Sequence, residues 1–203
     1  QIFALGNNES NSLFIFLKKT EYPDGKRKSF FSEEQIRLAF RKYCVQTSIL
    51  PFRNNAAIFW YKPNGYQTLA YRIAQFDEYG HLIKDRAREY PITKSIDVLR
   101  EHKYCFFGRH LIENERTQGK TICIVESEKT AIIASMVYPD ALWLATSSSR
   151  YLNSYNVDFN TSNVVLFPDL DVHDVNDEDY NLKHDWYLLI NEGWLQGARI
   201  SGF

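Results

Sequence analysis

In the first half of the chain, hydrophobic positions fall in short runs that are separated by turn residues. Aromatic and β-branched residues are frequent in the runs 56–61, 66–76 and 81–84. Pro-Asn-Gly stands between the first two runs and a glycine precedes the third, which is the pattern of an antiparallel meander. The run 12–17 predicts a further short strand. These positions indicate a β-rich amino-terminal region.

One segment of this region has helical periodicity instead. Apolar residues recur at intervals of three and four from Ile36 to Tyr43. Ser32 precedes them and Gln35 follows it three residues later, which is the signature of a capping box. This spacing predicts an amphipathic helix over 33–44.

From Thr121 onward the pattern changes to buried strands that alternate with helices. The helical pattern over 127–138 begins with Ser127 as its N-cap, and a second helix is predicted around 184–192. Short apolar runs predict strands at 121–125, 141–146, 163–167 and 198–203. Apolar strands joined by crossover helices predict a parallel sheet with helices on both faces.

The change of pattern predicts two domains in an α/β protein. The first, residues 1–118, is a smaller α+β domain that contains the antiparallel meander. The second, residues 119–203, contains the parallel sheet, and Gln118-Gly119 is the predicted junction. A chain of 203 residues is long enough for two domains that each bury a hydrophobic core.

Charge is distributed unevenly along the chain, although the formal net charge is only −1. Residues 1–120 carry 20 Lys and Arg against 13 Asp and Glu, a net charge of +7. Residues 121–203 carry 4 against 12, a net charge of −8. A basic half followed by an acidic half favours one surface for polyanions and one centre for cations. Two ordinary solvated surfaces are the alternative.

Cysteine use and hydropathy bear on the compartment. Cys44, Cys105 and Cys123 are far apart and odd in number, which argues against a disulfide framework and suits a reducing compartment. The apolar runs are too short to span a bilayer, and no secretory leader is visible at Gln1. We therefore expect a cytoplasmic protein with no membrane partner. Since no methionine begins the sequence, we expect it to be a piece of a longer chain.

Three carboxylates follow the predicted parallel strands. Glu126 comes directly after the first strand, and Asp169 and Asp171 come just after the third. Functional groups collect at the carboxyl ends of strands in such sheets. Side chains two residues apart in extended chain point the same way, and paired carboxylates are hard oxygen ligands of the kind Mg²⁺ prefers. Together the three acids predict a metal site, whereas each acid alone is more often a loop residue or helix cap.

The segments IVESEKTA and VVLFPDLD, about 40 residues apart, carry a resemblance to a known family. They resemble the Toprim signature, in which one apolar strand ends in Glu and a later strand ends in Asp-x-Asp. The resemblance covers roughly residues 120–203 and implies a Toprim-like, Rossmann-like fold for that part. FWYKPNGY, CFFGRHL and VESEKTAIIAS extend it to Toprim and primase-like proteins of Bacteroides-type mobile elements.

This resemblance implies a function and roles for the three acids. Glu126 corresponds to the family's glutamate, a general acid/base or metal ligand, and Asp169 and Asp171 correspond to its Mg²⁺ ligands, with Mn²⁺ as an alternative ion. The implied activity is primase-like nucleotidyl transfer in mobile-element DNA replication. A Toprim nuclease is the alternative enzyme, and a non-catalytic nucleic-acid-binding module is the alternative of another class.

The sequence departs from the family pattern at two places. Many Toprim domains have glycine directly after the glutamate, where this chain has Ser127, and another glycine after the second strand, where it has serines 147–149. Both glycines allow close approach of the backbone to a phosphate. The departures therefore bear on catalytic competence more than on the metal ligands.

Basic residues supply candidate contacts to nucleic acid. The expected partners are single-stranded DNA or another nucleic acid, together with nucleotides, and a helicase or zinc-ribbon region outside this segment is compatible with the resemblance. Lys129 follows the glutamate closely, and aromatic residues near the basic cluster could stack on bases. A charged turn over core aromatics is the alternative for that cluster. The candidate residues are Lys26, Arg27, Lys28, Lys129 and Arg150.

Overall fold

The computed structural model divides the chain into two compact units. The first unit comprises Gln1–Trp60 and Thr68–Lys94, and the second comprises Tyr61–Gln67 and Ser95–Phe203. The residues that the structure describes are 3–4, 8–19, 31–68, 70–83, 88–91, 105–113, 119–146, 163–168 and 199–200.

The first helix of the first unit lies where the sequence predicted a strand. Helix α1 spans Ser12–Lys18. The Asn11 side chain caps it, because its Oδ1 accepts from the backbone N–H of Leu13 at 3.0 Å and of Phe14 at 3.4 Å. The strand prediction for 12–17 is therefore wrong. It relied on the aromatic and branched residues of the run and overlooked the Asn cap, which favours a helix start.

The second helix agrees with its prediction. Helix α2 spans Glu33–Lys42 and begins with the predicted capping box. The Ser32 Oγ accepts from the Gln35 backbone N–H at 3.2 Å, and the Ser32 N–H donates to the Gln35 side chain at 2.8 Å. The helix ends two residues before the predicted 44 because Cys44 adopts a positive φ of 56°.

Within residues 3–91, the described strands form one five-stranded sheet. The strand order is β1-β2-β3-β4-β5. The pairs β1–β2, β2–β3 and β4–β5 are antiparallel, and an antiparallel bridge joins Phe76 to Leu82. The antiparallel character predicted for this region is thus present. The strands are β1 Phe3–Ala4, β2 Gln46–Ser48, β3 Ala57–Tyr61, β4 Ala70–Ala74 and β5 Arg88–Pro91.

The second unit contains a parallel sheet at the positions that the apolar runs predicted. The strand order is β7-β6-β8-β9, and β6 pairs in parallel with β7 and β8, while β8 pairs in parallel with β9. Every residue of β6 and β7 is buried, which explains their unbroken apolar runs. The strands are β6 Ile122–Val125, β7 Leu142–Ala145, β8 Val164–Phe167 and β9 Arg199–Ile200.

One described helix connects β6 to β7. Helix α3 spans Glu128–Val137, and the Ser127 Oγ caps it by accepting from the Thr130 backbone N–H at 3.1 Å, as the sequence predicted. The helix predicted around 184–192 lies outside the described residues. Helices on both faces of the sheet, and the domain limits 1–118 and 119–203, stay predictions.

In the described part of the chain, no helix combines the length and the hydrophobicity that crossing a membrane requires.

Candidate functional site

The carboxyl ends of three parallel strands lie level with one another. In the register of the sheet, Val125 at the end of β6 is the partner of Ala145 at the end of β7 and of Phe167 at the end of β8. The Thr146 backbone N–H extends this pairing by donating to the Val125 carbonyl at 3.0 Å. The residues that follow these strands therefore emerge at a single edge of the sheet, which we call the carboxyl edge.

Glu126 is the first residue beyond β6, and it is half-buried. Ser127 comes next, with φ −108° and ψ 146°, an extended conformation that any residue can adopt. The backbone therefore requires no glycine after the glutamate, and serine here has a defined task as the helix cap. A half-buried carboxylate between a strand end and a helix start is a hard oxygen donor of the kind that suits Mg²⁺.

The two aspartates of the predicted metal site lie outside the described residues. Strand β8 ends at Phe167, and Pro168 is the last described residue before Asp169 and Asp171. Within the described part of the chain, no three His, Cys, Asp or Glu side chains are grouped as a metal site would require. Asp169 and Asp171 are not among these residues, so the predicted Mg²⁺ site stays a prediction.

Of the predicted nucleic-acid contacts, the structure describes only Lys129. It is half-buried in the first turn of α3, three residues after Glu126. Lys26, Arg27, Lys28 and Arg150 lie outside the described residues. The structure thus places one catalytic and one basic candidate on the same strand-to-helix connection.

A buried carboxylate next to this connection was not assigned a role from the sequence. The Glu128 side chain is buried, with the residue 2% exposed, and accepts a hydrogen bond from the hydroxyl of Tyr61, which is likewise 2% exposed. The Tyr61 ring also packs edge-on against Phe107, with 6.3 Å between the ring centroids. The helical spacing of α3 could have indicated this burial. Its other buried residues, Ala131, Ile132 and Ser135, come three, four and seven residues after Glu128, so all four lie on one face of the helix.

A second segment reaches the carboxyl edge beside β7. Phe107 forms an antiparallel bridge with Ala145, with N–H to carbonyl distances of 2.9 and 3.1 Å in the two directions. Gly108 then takes a φ of 83°, which favours glycine, and a 3₁₀ turn follows at Arg109–Leu111. This geometry brings the backbone of Arg109 to within two residues of the bridge at the end of β7.

Cys105 precedes this bridge and is in its thiol form. Burial raises the pKa of Cys105 to about 12, although the nearby Arg109 charge acts in the opposite direction. Burial likewise raises the pKa of Cys123, in β6, to about 11. The thiolate is the form that attacks electrophiles, so burial disfavours a nucleophilic role for either cysteine at neutral pH.

The fold is similar to that of a solved primase. The structure resembles the primase fragment of the bacteriophage T7 primase-helicase protein, with a TM-score of 0.50 and 10% sequence identity. The match covers 99% of this chain and 69% of that chain. The protein therefore has a mixed α/β fold of the kind found in that primase fragment.

The sequence also assigns the chain to a family. Residues 11–170 match the profile of a family described as a domain of unknown function, DUF6371, and the chain belongs to that family. The description names neither a Toprim domain nor a mobile-element role. A search of curated proteins returned no match.

Proposed function

We propose that this protein is a primase-like enzyme that transfers nucleotides in a Mg²⁺-dependent reaction on nucleic acid. The observation that supports this most is the register of the parallel sheet, in which Val125 pairs with Phe167. Glu126 and Pro168, the residues that directly follow these two adjacent strands, therefore lie at the same edge of the sheet, and Asp169 is the next residue in the sequence. The likeness of the fold to a phage primase fragment agrees with this proposal.

In this proposal the three acids have separate tasks. Glu126 acts as general acid/base and as a metal ligand, and Asp169 and Asp171 complete the ligand set of a Toprim domain. Bound Mg²⁺ would neutralise charge on the phosphate group at which displacement occurs. Ser127, the residue directly after Glu126, caps the start of α3 by accepting from the Thr130 backbone N–H. Mn²⁺ would serve the same oxygen ligands.

The proposed substrates are nucleotides and a single-stranded nucleic acid. Lys129 belongs to the same connection as Glu126 and is a candidate for a phosphate contact there. Lys26, Arg27, Lys28 and Arg150 are the other proposed contacts to the nucleic-acid backbone. Replication of a mobile element is the proposed setting, and it rests on the sequence resemblance alone.

The test is incorporation of labelled nucleotide by the full-length protein on single-stranded DNA with Mg²⁺. Wild type should incorporate label, and Glu126→Gln should lower the rate by about 100-fold or more, as expected for loss of a general acid/base. Glu113→Gln is the matched control, since it makes the same chemical change at an exposed position of the second unit. Equal rates for wild type and Glu126→Gln would contradict the proposed role of Glu126.

The same assay separates the proposal from its two rivals. Mg²⁺-dependent shortening of a labelled strand without incorporation would identify a nuclease. Binding of the strand with no turnover under any metal would identify a non-catalytic module. Either result overturns the primase-like proposal.

A further inference from the structure

Arg109 has a guanidinium nitrogen that is shielded from water and has no acceptor among the described residues. This nitrogen is Nη1, and the side chain as a whole is half-buried at the start of the 3₁₀ turn. Buried polar groups in proteins are almost always hydrogen-bonded, and a buried charge without a partner is costly. Within the described part of the chain, the Arg109 Nη1 is therefore a donor without an acceptor, and a phosphate oxygen is an acceptor that suits it.

The neighbouring thiol does not provide that anion. Cys105 lies close enough for the Arg109 charge to act on it, yet burial keeps the pKa of the thiol at about 12. Cys105 is therefore neutral at physiological pH, and the Arg109 charge is not balanced by a thiolate.

The position of Arg109 in the second unit suggests which anion it receives. Phe107, two residues earlier, is bonded through its backbone to Ala145 at the end of β7. Ala145 pairs with Val125, the residue directly before Glu126. Arg109 thus belongs to a segment that is anchored at the carboxyl edge, where parallel α/β sheets bind their ligands.

We propose that Arg109 binds a phosphate group of the substrate at the carboxyl edge. The proposal rests on the proposed function and extends it by naming a phosphate-binding residue outside the Glu126 and Asp-x-Asp sequences. A guanidinium presents a planar fork of donors that matches phosphate oxygens, and such charge-assisted hydrogen bonds are among the strong ones. The phosphate belongs either to a free nucleotide or to a nucleic-acid strand.

Binding measured in EDTA tests this without any need for turnover. The full-length protein is titrated in separate arms with ATP and with a single-stranded oligonucleotide. Arg109→Met should weaken binding in one arm by roughly tenfold or more, as expected for loss of a hydrogen bond to a charged group. The arm that responds identifies the source of the phosphate.

Arg199→Met is the matched control within the same unit. Arg199 is exposed on β9, pairs with Val165 near the start of β8, and donates to the Asn163 Oδ1 at 3.1 Å. It therefore lies towards the opposite end of the strands from the carboxyl edge. The control should bind both probes within about twofold of wild type, a change of less than about 0.5 kcal/mol.

Thermal unfolding separates ligand binding from a structural role. Without ligand, Arg109→Met should melt at or above the wild-type temperature, because it removes a shielded donor nitrogen that lacks an acceptor. A variant that melts earlier and keeps wild-type affinity overturns the proposal, and so does equal loss of affinity in the two methionine variants.

If Arg109→Met does not fold, Arg109→Lys is the deciding variant, since it keeps the positive charge but loses the planar fork of donors. Wild-type affinity in Arg109→Lys then overturns the proposal, and weakened binding supports it.

The outcomes also distinguish this proposal from the proposed function. Normal binding by Arg109→Met, with incorporation that depends on Glu126, overturns the Arg109 proposal alone. Weakened binding by Arg109→Met, in a protein that incorporates no nucleotide, overturns the proposed function alone. A wild-type protein that binds neither probe overturns the phosphate site.

Discussion

The two sheets of this protein differ in where their strands can carry chemistry. In the parallel sheet, β6 and β7 are buried at every position, whereas β4 of the antiparallel sheet leaves Tyr71 and Arg72 partly exposed. A strand buried on both faces has no side chain to spare for a ligand. In the second unit, the candidates for functional residues are therefore those just beyond the strand ends, such as Glu126. An antiparallel strand with an open face can contribute binding residues along its length.

Charge follows a related division along the sequence. Residues 1–120 have a net charge of +7 and residues 121–203 a net charge of −8. Excess basic charge favours contact with phosphates, and clustered carboxylates require a cation to relieve their repulsion. The comparison leads us to expect that substitutions in the basic part change affinity, whereas substitutions of the acids at the strand ends change turnover.

The largest expected effect is at Asp169. Asp169→Asn should abolish Mg²⁺-dependent activity, while the metal-free protein stays as stable as wild type or becomes slightly more stable. The reason is that carboxylates held close together oppose folding until a cation arrives, and Asn keeps the shape without the charge. Activity assays and melting curves in EDTA and in Mg²⁺ measure both effects.

Asp140→Asn is the control for this change, since Asp140 is exposed just beyond α3 in the same unit. A structural role for Asp169 predicts the reverse pattern. A mutant that melts earlier than wild type in EDTA, and gains as much stability from Mg²⁺, would end the metal-site proposal.

The next effect concerns binding by the basic part of the chain. Replacing Lys26, Arg27 and Lys28 with alanine should flatten the dependence of log affinity on log salt by up to about 2, at roughly 0.7 per phosphate contact on a single strand. Titrations of single-stranded DNA at several salt concentrations measure this slope. An unchanged slope would show that the cluster is ordinary surface.

A control triple replacement is available on the two described helices of the first unit. Lys18, Arg37 and Arg41 carry the same total charge as Lys26, Arg27 and Lys28. However, Lys18 already pairs with Glu33 at 2.6 Å, and Arg37 already pairs with Glu9 at 2.5 Å. Their replacement should leave the slope closer to that of wild type.

A smaller effect, on stability, is expected in the second unit. Tyr61→Phe removes the hydroxyl that donates to the buried Glu128, so the carboxylate loses a hydrogen bond away from water. We expect the free energy of unfolding to fall by about 1–3 kcal/mol. Denaturant unfolding measures the change. Tyr66→Phe is the control because Tyr66, in the same segment, is 99% exposed, and it should be neutral.

The smallest effect belongs to the first unit and depends on pH. The hydrogen bond and ion pair with Lys18, at 2.6 Å, hold the pKa of Glu33 below its usual 4.5, with a lesser contribution from Arg37. A carboxyl whose pKa is lowered by folding stabilises the protein above its unfolded pKa, and that stabilisation is lost as the pH falls through the folded pKa.

Glu33→Gln should therefore be slightly less stable than wild type at pH 7, and the difference should shrink as the pH falls below about 4.5. Unfolding curves at pH 7 and pH 3 measure this. Glu34→Gln, at the next and exposed position of α2, serves as the control. A difference that stays constant with pH would assign the effect to packing.

Local signals predicted much of the fold. Ser32 with Gln35 placed the start of α2, Ser127 placed the start of α3, and unbroken apolar runs placed β6, β7 and β8. Among the described residues, the strand predicted at 12–17 is a helix, the run at 81–84 holds only an isolated bridge at Leu82, and strands β1, β2 and β5 were not predicted. The aromatic residues of 12–17 are equally compatible with a helix, and the deciding signal was the cap at Asn11.

The candidate site depended more on contacts that are distant in sequence. Glu126 could be proposed as a site residue from its place after a strand, but the burial of Glu128 involves a hydrogen bond from Tyr61, 67 residues earlier. Likewise, nothing in the local sequence of Arg109 indicates that the preceding Phe107 bonds to Ala145. Such contacts form only when strands and segments are brought together by folding.

The sequence by itself thus determined the helices with strong caps, the buried strands, and the acids that follow them. These features depend on neighbouring residues, through capping hydrogen bonds and the period of hydrophobic positions. The tertiary structure alone decided the strand order β7-β6-β8-β9, the alignment of the strand ends, and the shielding of the Arg109 nitrogen. Those features depend on pairing across tens of residues, which only the packing of the whole unit selects.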